Sequence, residues 1–151
     1  MSTQTFEWRR DDLLITTDPA RVDIAVVHGF LAGSYWARGI PVEVVTRSIE
    51  HSIPFSLLAA DHQVGFARVV TDRATVAYLG DVFVLPEFRG RGAGAWLMET
   101  VVAHPELKGF RRWILLTRDA HRLYEKIGFT PLHAPDRWME RWDPKVYERG
   151  L

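Results

Sequence analysis

The sequence predicts an α/β domain built on an antiparallel meander, and three observations carry the prediction. From Phe55 to Leu85 three apolar runs are separated only by Asp61-His62 and Asp72-Arg73-Ala74, short polar turns of the kind that join antiparallel neighbours. The third run ends at Pro86 and an arginine- and glycine-rich turn, inside which a helix begins. After that helix comes a nearly continuous apolar run, Trp113-Ile114-Leu115-Leu116. A strand, a helix and a strand in succession make a right-handed crossover.

The elements follow in order. Met1 to Asp12 is polar and charged, without the apolar centre of a signal peptide, and Leu13-Leu14-Ile15-Thr16 reads as a short strand. Asp18-Pro19 places an N-cap before the residue best suited to a first helical position, so a helix is expected from there. Ile24, Val27 and Leu31 give it one apolar face and Gly33 a stop, with His28 on or near that face. Ser34 to Pro41 is a loop carrying Tyr35 and Trp36. A second helix starts at Pro41, with Val42, Val45 and Ile49 on one side, and ends before Ser52-Ile53-Pro54.

The meander strands are Phe55 to Ala60, Gln63 to Thr71 and Thr75 to Leu85, and Gly80 in the last is a candidate bulge. The helix after the glycines turns Leu97 and Val101 inward and stops at His104-Pro105. Arg111 to Thr117 reads as a strand buried on both faces. Asp119 is the expected cap of a short helix presenting Ala120, Leu123, Tyr124 and Ile127, closed by Gly128. Phe129 to Leu132 and Trp138 to Trp142 read as two last strands. No repeat or linker divides the chain, so a single domain is expected over residues 1–151.

Composition narrows the function. Nineteen basic residues balance nineteen acidic ones, so no global field selects nucleic acid or an anionic membrane, and recognition falls to local pockets. There is no cysteine, which removes disulfides, thiolate metal sites and a cysteine that would carry an acyl group. This fits a cytoplasmic location. No apolar run reaches the length of a membrane helix. The six histidines are scattered without acids at metal-ligand spacing, so no metal is expected. A lone histidine on a helix face more often packs or is solvated than binds, and His28 and His51 are left as acceptor-side alternatives only.

The turn itself is the chemical signal. Gly90, Gly92 and Gly94 remove side chains that would hold an anion away from the backbone, and the first N–H groups of the helix lack partners at the positive end of its dipole. A nucleoside-triphosphate loop would need Gly-Lys-Ser/Thr, which is missing. The dinucleotide fingerprint is met by Gly90, Gly92 and Ala95. Yet Pro86 to Arg89 separate it from the strand, and Gly109 to Trp113, not an acid, stand about 20 residues on.

The run Val84-Leu85-Pro86-Glu87-Phe88-Arg89-Gly90-Arg91-Gly92-Ala93-Gly94 resembles the acetyl-coenzyme A motif of the GNAT N-acetyltransferase superfamily, Arg/Gln-x-x-Gly-x-Gly/Ala, at every fixed position. A second block, Ala120-His121-Arg122-Leu123-Tyr124-Glu125-Lys126-Ile127-Gly128-Phe129, resembles the helix and strand that close the cofactor site in that family. The resemblance implies a mixed, mostly antiparallel sheet with helices on both faces, whose two central parallel strands splay to admit the pantetheine arm. It implies acetyl-coenzyme A as co-substrate. The N–H groups of Gly90, Arg91, Gly92, Ala93 and Gly94 would hold the pyrophosphate, and main-chain groups of Phe83, Val84 and Leu85 the pantetheine amides, with an N–H near Val84 facing the oxyanion. The loop between the first two helices would border the acceptor.

The side chains have two readings each. Arg89 fills the motif's fixed position, bracing the turn or facing phosphate; Arg91, at a variable one, is a phosphate contact or a solvated arginine. Asp81 shares a strand face with Phe83 and Leu85 and is the best acid for a base acting through water or for binding the amine, or else a structural aspartate. Tyr35 and Trp36 are substrate contacts or a satellite cluster under the loop. Tyr124 stands where the resemblance places a tyrosine whose hydroxyl meets the cofactor sulfur, and it also fits as a packing residue. The expected activity is acetyl transfer to a small-molecule amine by direct attack in a ternary complex. A coenzyme A-binding module without turnover and a dinucleotide-binding protein are the alternatives. No nucleic-acid or membrane partner is expected, and a homodimer is allowed.

Overall fold

A computed structural model of the chain describes residues 4–149; Met1 to Thr3 and the last two residues, at the ends of the expected domain, lie outside them. Six strands form one sheet in the order β1 (Glu7–Arg10), β2 (Leu13–Thr16), β3 (Ile53–Ala59), β4 (His62–Thr71), β5 (Val76–Val84) and β6 (Arg112–Leu115). Every neighbouring pair is antiparallel except β5 and β6, which run parallel. Four helices flank it: α1 (Ile24–Ala32), α2 (Val42–Glu50), α3 (Ala93–Val102) and α4 (His121–Glu125).

Alternation along the strands feeds two cores. Val27, Leu31, Val45 and Ile49 of α1 and α2 meet Phe66 and Phe83 on one face of the sheet. Leu97, Met98 and Val101 of α3, with Tyr124 of α4, meet Phe55, Leu57, Val69 and Leu79 on the other. Completely burying such side chains contributes about 1.5–3 kcal/mol each, so the helices hold the sheet from both sides and fix where its strand ends point.

Several expectations need correction. Asp18 does cap, its carboxylate accepting the Ala20 N–H at 2.9 Å, but Pro19–Arg21 is only a 3-10 turn. Asp23 caps α1 itself. β1 was not anticipated: Phe6 and Trp8 alternate with charged residues and lie against His104, with ring centroids at 4.7 and 5.9 Å. β6 is half-buried, not covered on both faces. Asp119 does not cap α4; Thr117 Oγ1 accepts the Ala120 N–H at 3.0 Å instead. Phe129 to Leu132 and Trp138 to Trp142 form no strands: among the described residues none pairs with them, and β6 is the last strand of the sheet.

Candidate active site

The site begins where β5 and β6 part. Their pairing runs from Val76 opposite Arg112 to Leu79 opposite Leu115 and stops there, while β5 continues to Val84. A bulge accompanies the departure. Arg68 pairs with Gly80 and Phe66 with Phe83, so Asp81 and Val82 together oppose Ala67. Asp81 takes up the extra residue in the left-handed region, at φ 54°, which short polar residues tolerate best after glycine. A Cβ on Gly80 would stand 2.9 Å from the Tyr78 ring, so glycine next to the bulge answers a real steric demand.

Past the bulge the backbone polarity is set by β4. The Leu85 N–H donates to Val64 O at 2.8 Å. Peptide groups alternate sides along a strand, so the N–H and C=O of Val84 face the gap left by β6. Arg89 Nε donates to that Val84 carbonyl at 2.8 Å, tying the turn to the strand end.

In the turn, Pro86–Phe88 make a 3-10 segment, and Gly90 and Gly92 have φ of 82° and 76°. Gly92 is the N-cap of α3, whose first intrahelical bond runs from Trp96 N to Gly92 O at 3.0 Å. The N–H groups of Ala93, Gly94 and Ala95 therefore start the helix without intrahelical partners. Nothing lies within 4 Å of a Cβ built on Gly90, and a Cβ on Gly92 would meet only Arg10 Nη2 at 3.9 Å, so the cradle is open to an anion. Arg91 lies over the Phe88 ring at 5.6 Å and Arg10 over Trp96 at 5.8 Å. They line one small cavity beside the turn. Arg10 was missed because it sits on the unanticipated β1.

On the opposite side of the gap, Phe30 stacks on Phe83 at 4.1 Å and supports Trp36 at 6.2 Å. Trp36 Nε1 donates to Asp81 Oδ1 at 3.0 Å, and Arg68 Nε donates to Asp81 Oδ2 at 2.9 Å. Both carboxylate oxygens are thus engaged, each keeping a lone pair. Arg68 extends the chain of contacts to Ser52 Oγ at 3.0 Å. The bulge brings Arg68 to the Asp81 side; its register could not be read from one strand alone.

Tyr35 closes the mouth. Its hydroxyl accepts the Arg118 N–H at 3.0 Å, and the Arg118 guanidinium lies 3.9 Å from its ring centre, so the loop after α1 is fastened to the loop after β6. Tyr35 and Trp36 pack edge to face at 5.2 Å and still expose 46% and 41% of their surface. His28 Nε2 bonds Ile40 O at 3.0 Å within this loop, while His51 ends α2.

Tyr124 comes from the other helix layer. It is buried, with Phe129 edge-on at 5.9 Å. Burial pushes its phenol up to about 12, the Tyr35 phenol adding to the rise, so it is a proton-bearing hydroxyl at any physiological pH.

Fold and site together define a class: an α/β domain with an open anion-binding type of turn at the mouth of a split parallel strand pair. Residues 52–131 match the family model described as an acetyltransferase (GNAT) domain. A Gibberella zeae protein whose name assigns it provisionally to the acetyltransferases is 31% identical, over 82% of each chain. The chain belongs to the GNAT acetyltransferase family. Among solved structures, a Xanthomonas campestris protein described provisionally as a GNAT acetyltransferase is 49% identical, with a TM-score of 0.87 over 89% of this chain and 96% of that one. A GNAT family acetyltransferase from Elizabethkingia anophelis with acetyl-CoA bound shares the fold at a TM-score of 0.64 and 16% identity, over 89% of this chain and 90% of that one. Among the described residues, no helix is long and apolar enough to cross a membrane.

Proposed function

We propose that this protein transfers the acetyl group of acetyl-CoA to the primary amine of a small molecule, by direct attack within a ternary complex. The observation that carries the reading is the split of β5 from β6 beyond Leu79, which leaves the Val84 N–H facing the gap that opens there. Acetyl-CoA would supply the activated acyl group. The open glycine turn, the free N–H groups of Ala93, Gly94 and Ala95, and Arg10 and Arg91 beside them fit its pyrophosphate.

In this reading the residues divide the work. The N–H of Val84 donates to the carbonyl oxygen as it gains charge. The Asp81 carboxylate, held by Trp36 and Arg68, takes the proton of the incoming ammonium through its remaining lone pairs or a water. Tyr124 donates a hydrogen bond to the departing sulfur. Complete proton transfer from a phenol near 12 to a thiolate whose conjugate acid is about 8.5 is uphill, so Tyr124 acts as a donor that keeps its proton. The amine sheds two protons on its way from ammonium to amide: the first, taken at Asp81, passes to solvent, and the second, lost from nitrogen after attack, ends on the thiol. Without a cysteine no thiol is available to carry the acyl group between half-reactions.

The aromatic wall of Trp36 and the single carboxylate of Asp81 suit a small amine better than a polyamine, which would need several acids. The competing reading, a domain that holds coenzyme A without turnover, draws on the engagement of both Asp81 oxygens. Calorimetric titration with acetyl-CoA, followed by competition with NAD, tests the donor. Binding that NAD does not displace is expected; no binding at millimolar acetyl-CoA, or preference for NAD, would end the reading.

A further inference from the structure

The Arg118 side chain is positioned without being used up. Its main-chain N–H donates to the Tyr35 hydroxyl at 3.0 Å, so the tie between the two loops does not need the side chain. The guanidinium carbon lies instead over the Tyr35 ring, 3.9 Å from its centre. Among the described residues its one ionic neighbour is Asp119, whose Oδ2 stands 3.9 Å from Nη2, beyond hydrogen-bond length. Both side chains are open to solvent, at 65% and 71%, where such a pair contributes little. A guanidinium resting on an aromatic face uses no N–H in the contact. Its forked donors stay available for a carboxylate or phosphate, and the ring beneath holds the fork in place beforehand.

This donor ends a continuous row of contacts. The Tyr35 ring meets the Trp36 ring edge to face, and the Trp36 indole N–H reaches Asp81 Oδ1 at 3.0 Å. The Tyr35 phenol is also close enough to Tyr124 to raise its pKa, which sets the row beside the hydroxyl assigned to the cofactor sulfur. A carboxylate stands at one end and an available guanidinium at the other, with two half-exposed aromatic rings between them. Opposite charges at the ends of an apolar floor match a molecule that is cationic at one end and anionic at the other. An amine with a neutral tail leaves the guanidinium unused, and a polycation is repelled by it.

We infer that Arg118 is a specificity residue for the acceptor: it binds the carboxylate or phosphate of an anionic amine whose ammonium end lies at Asp81. The inference rests on the acetyl-transfer reading for the fate of that amine, and on the row of contacts alone for its binding. The rings of Tyr35 and Trp36 separate the two charged ends, so the anion and the amine are several bonds apart in the acceptor and not on one carbon. Asp119, next to Arg118 and only loosely paired with it, gives way to the incoming anion at little cost.

Amines that differ only in the far group test it: hexylamine, ε-aminocaproate and ω-aminohexyl phosphate. Calorimetry against the full chain saturated with coenzyme A gives their affinities, and thiol release from acetyl-CoA gives kcat/KM. At least one anionic amine should exceed hexylamine by about tenfold or more, the effect of a charge-assisted hydrogen bond. Arg118→Gln should bring that ratio down to about one, through KM, and Arg118→Lys, with the charge but not the fork, should fall between. Far-UV circular dichroism should be native in both variants, because the side chain is exposed. Equal affinity and turnover for neutral and anionic amines would overturn the inference and leave acetyl transfer standing. So would a preference that survives in Arg118→Gln, or a loss of acetyl-CoA affinity in that variant as large as the loss for the amine, which would put Arg118 on the cofactor. Binding of anionic amines that depends on Arg118, without thiol release, would uphold the site and count against the acetyl-transfer reading.

Discussion

The Trp36 indole N–H is bonded to Asp81 Oδ1 at 3.0 Å, joining the loop after α1 to the bulge of β5 across the proposed acceptor site. Trp36→Phe keeps the ring against Phe30 and deletes only this donor. A hydrogen bond to a charged group is worth about 1.5–3 kcal/mol; with both partners part-exposed, the lower end is expected in chemical denaturation. The KM for the amine should rise more than kcat falls. An unchanged KM would mean that this wall does not touch the acceptor.

Asp81→Asn is the harsher change. It leaves Arg68, whose side chain is 17% exposed, without its counter-charge, and breaking a largely buried pair costs about 3 kcal/mol. Arg68→Met combined with Asp81→Asn should restore much of that stability, but not turnover. If the double variant regains turnover as well, Asp81 is a strut and the amine loses its proton elsewhere.

For Tyr124→Phe, the fold and acetyl-CoA affinity should be near native while turnover falls roughly 10- to 1,000-fold. The pH profile carries a further check. A phenol held at about 12 is protonated throughout the neutral range, so native kcat should show no alkaline loss from this group below about pH 10. A native rate in the phenylalanine variant would make Tyr124 a packing residue.

The two turn glycines should separate. Gly92 sits at φ 76°, where valine is strained, and Gly92→Val should lower acetyl-CoA affinity at least tenfold, or about 1.4 kcal/mol. A Cβ on Gly94 would meet Val84 Cγ2 at 3.7 Å, an ordinary contact, so Gly94→Ala should fold normally. Unchanged calorimetric affinity at Gly92 would leave the turn with a purely structural purpose.

His104 gives a pH prediction for stability. It is buried among Phe6, Trp8 and Phe55, its Nδ1 accepting the Glu106 N–H at 3.0 Å, and burial holds its pKa below the ordinary value. The unfolded chain then binds the proton more readily, so stability is complete above about pH 6.5 and is lost as pH falls toward the folded pKa. Urea midpoints measured from about pH 7 to 5 should drop in the native protein, and less steeply in His104→Gln.

What the sequence revealed depended on how local each feature is. The turn from Arg89 to Gly94 was legible because positive φ and free N–H groups are demands that neighbouring residues must meet themselves. The meander was legible from its short turns. The partners of Asp81 were not, since Arg68 and Trp36 reach it only through the pairing register of β4 and a loop 45 positions away. β1 was hidden because Phe6 and Trp8 are spaced among charges. The terminal segments were read as strands from pattern alone, and a pattern does not supply a pairing partner.

The most direct test of the proposed activity is release of free coenzyme A thiol from acetyl-CoA, followed with and without a panel of small primary amines. The account predicts release that depends on the amine, saturates in both substrates with intersecting reciprocal plots, and is depressed in Tyr124→Phe. Saturable binding of acetyl-CoA with no amine-dependent release across the panel would contradict it.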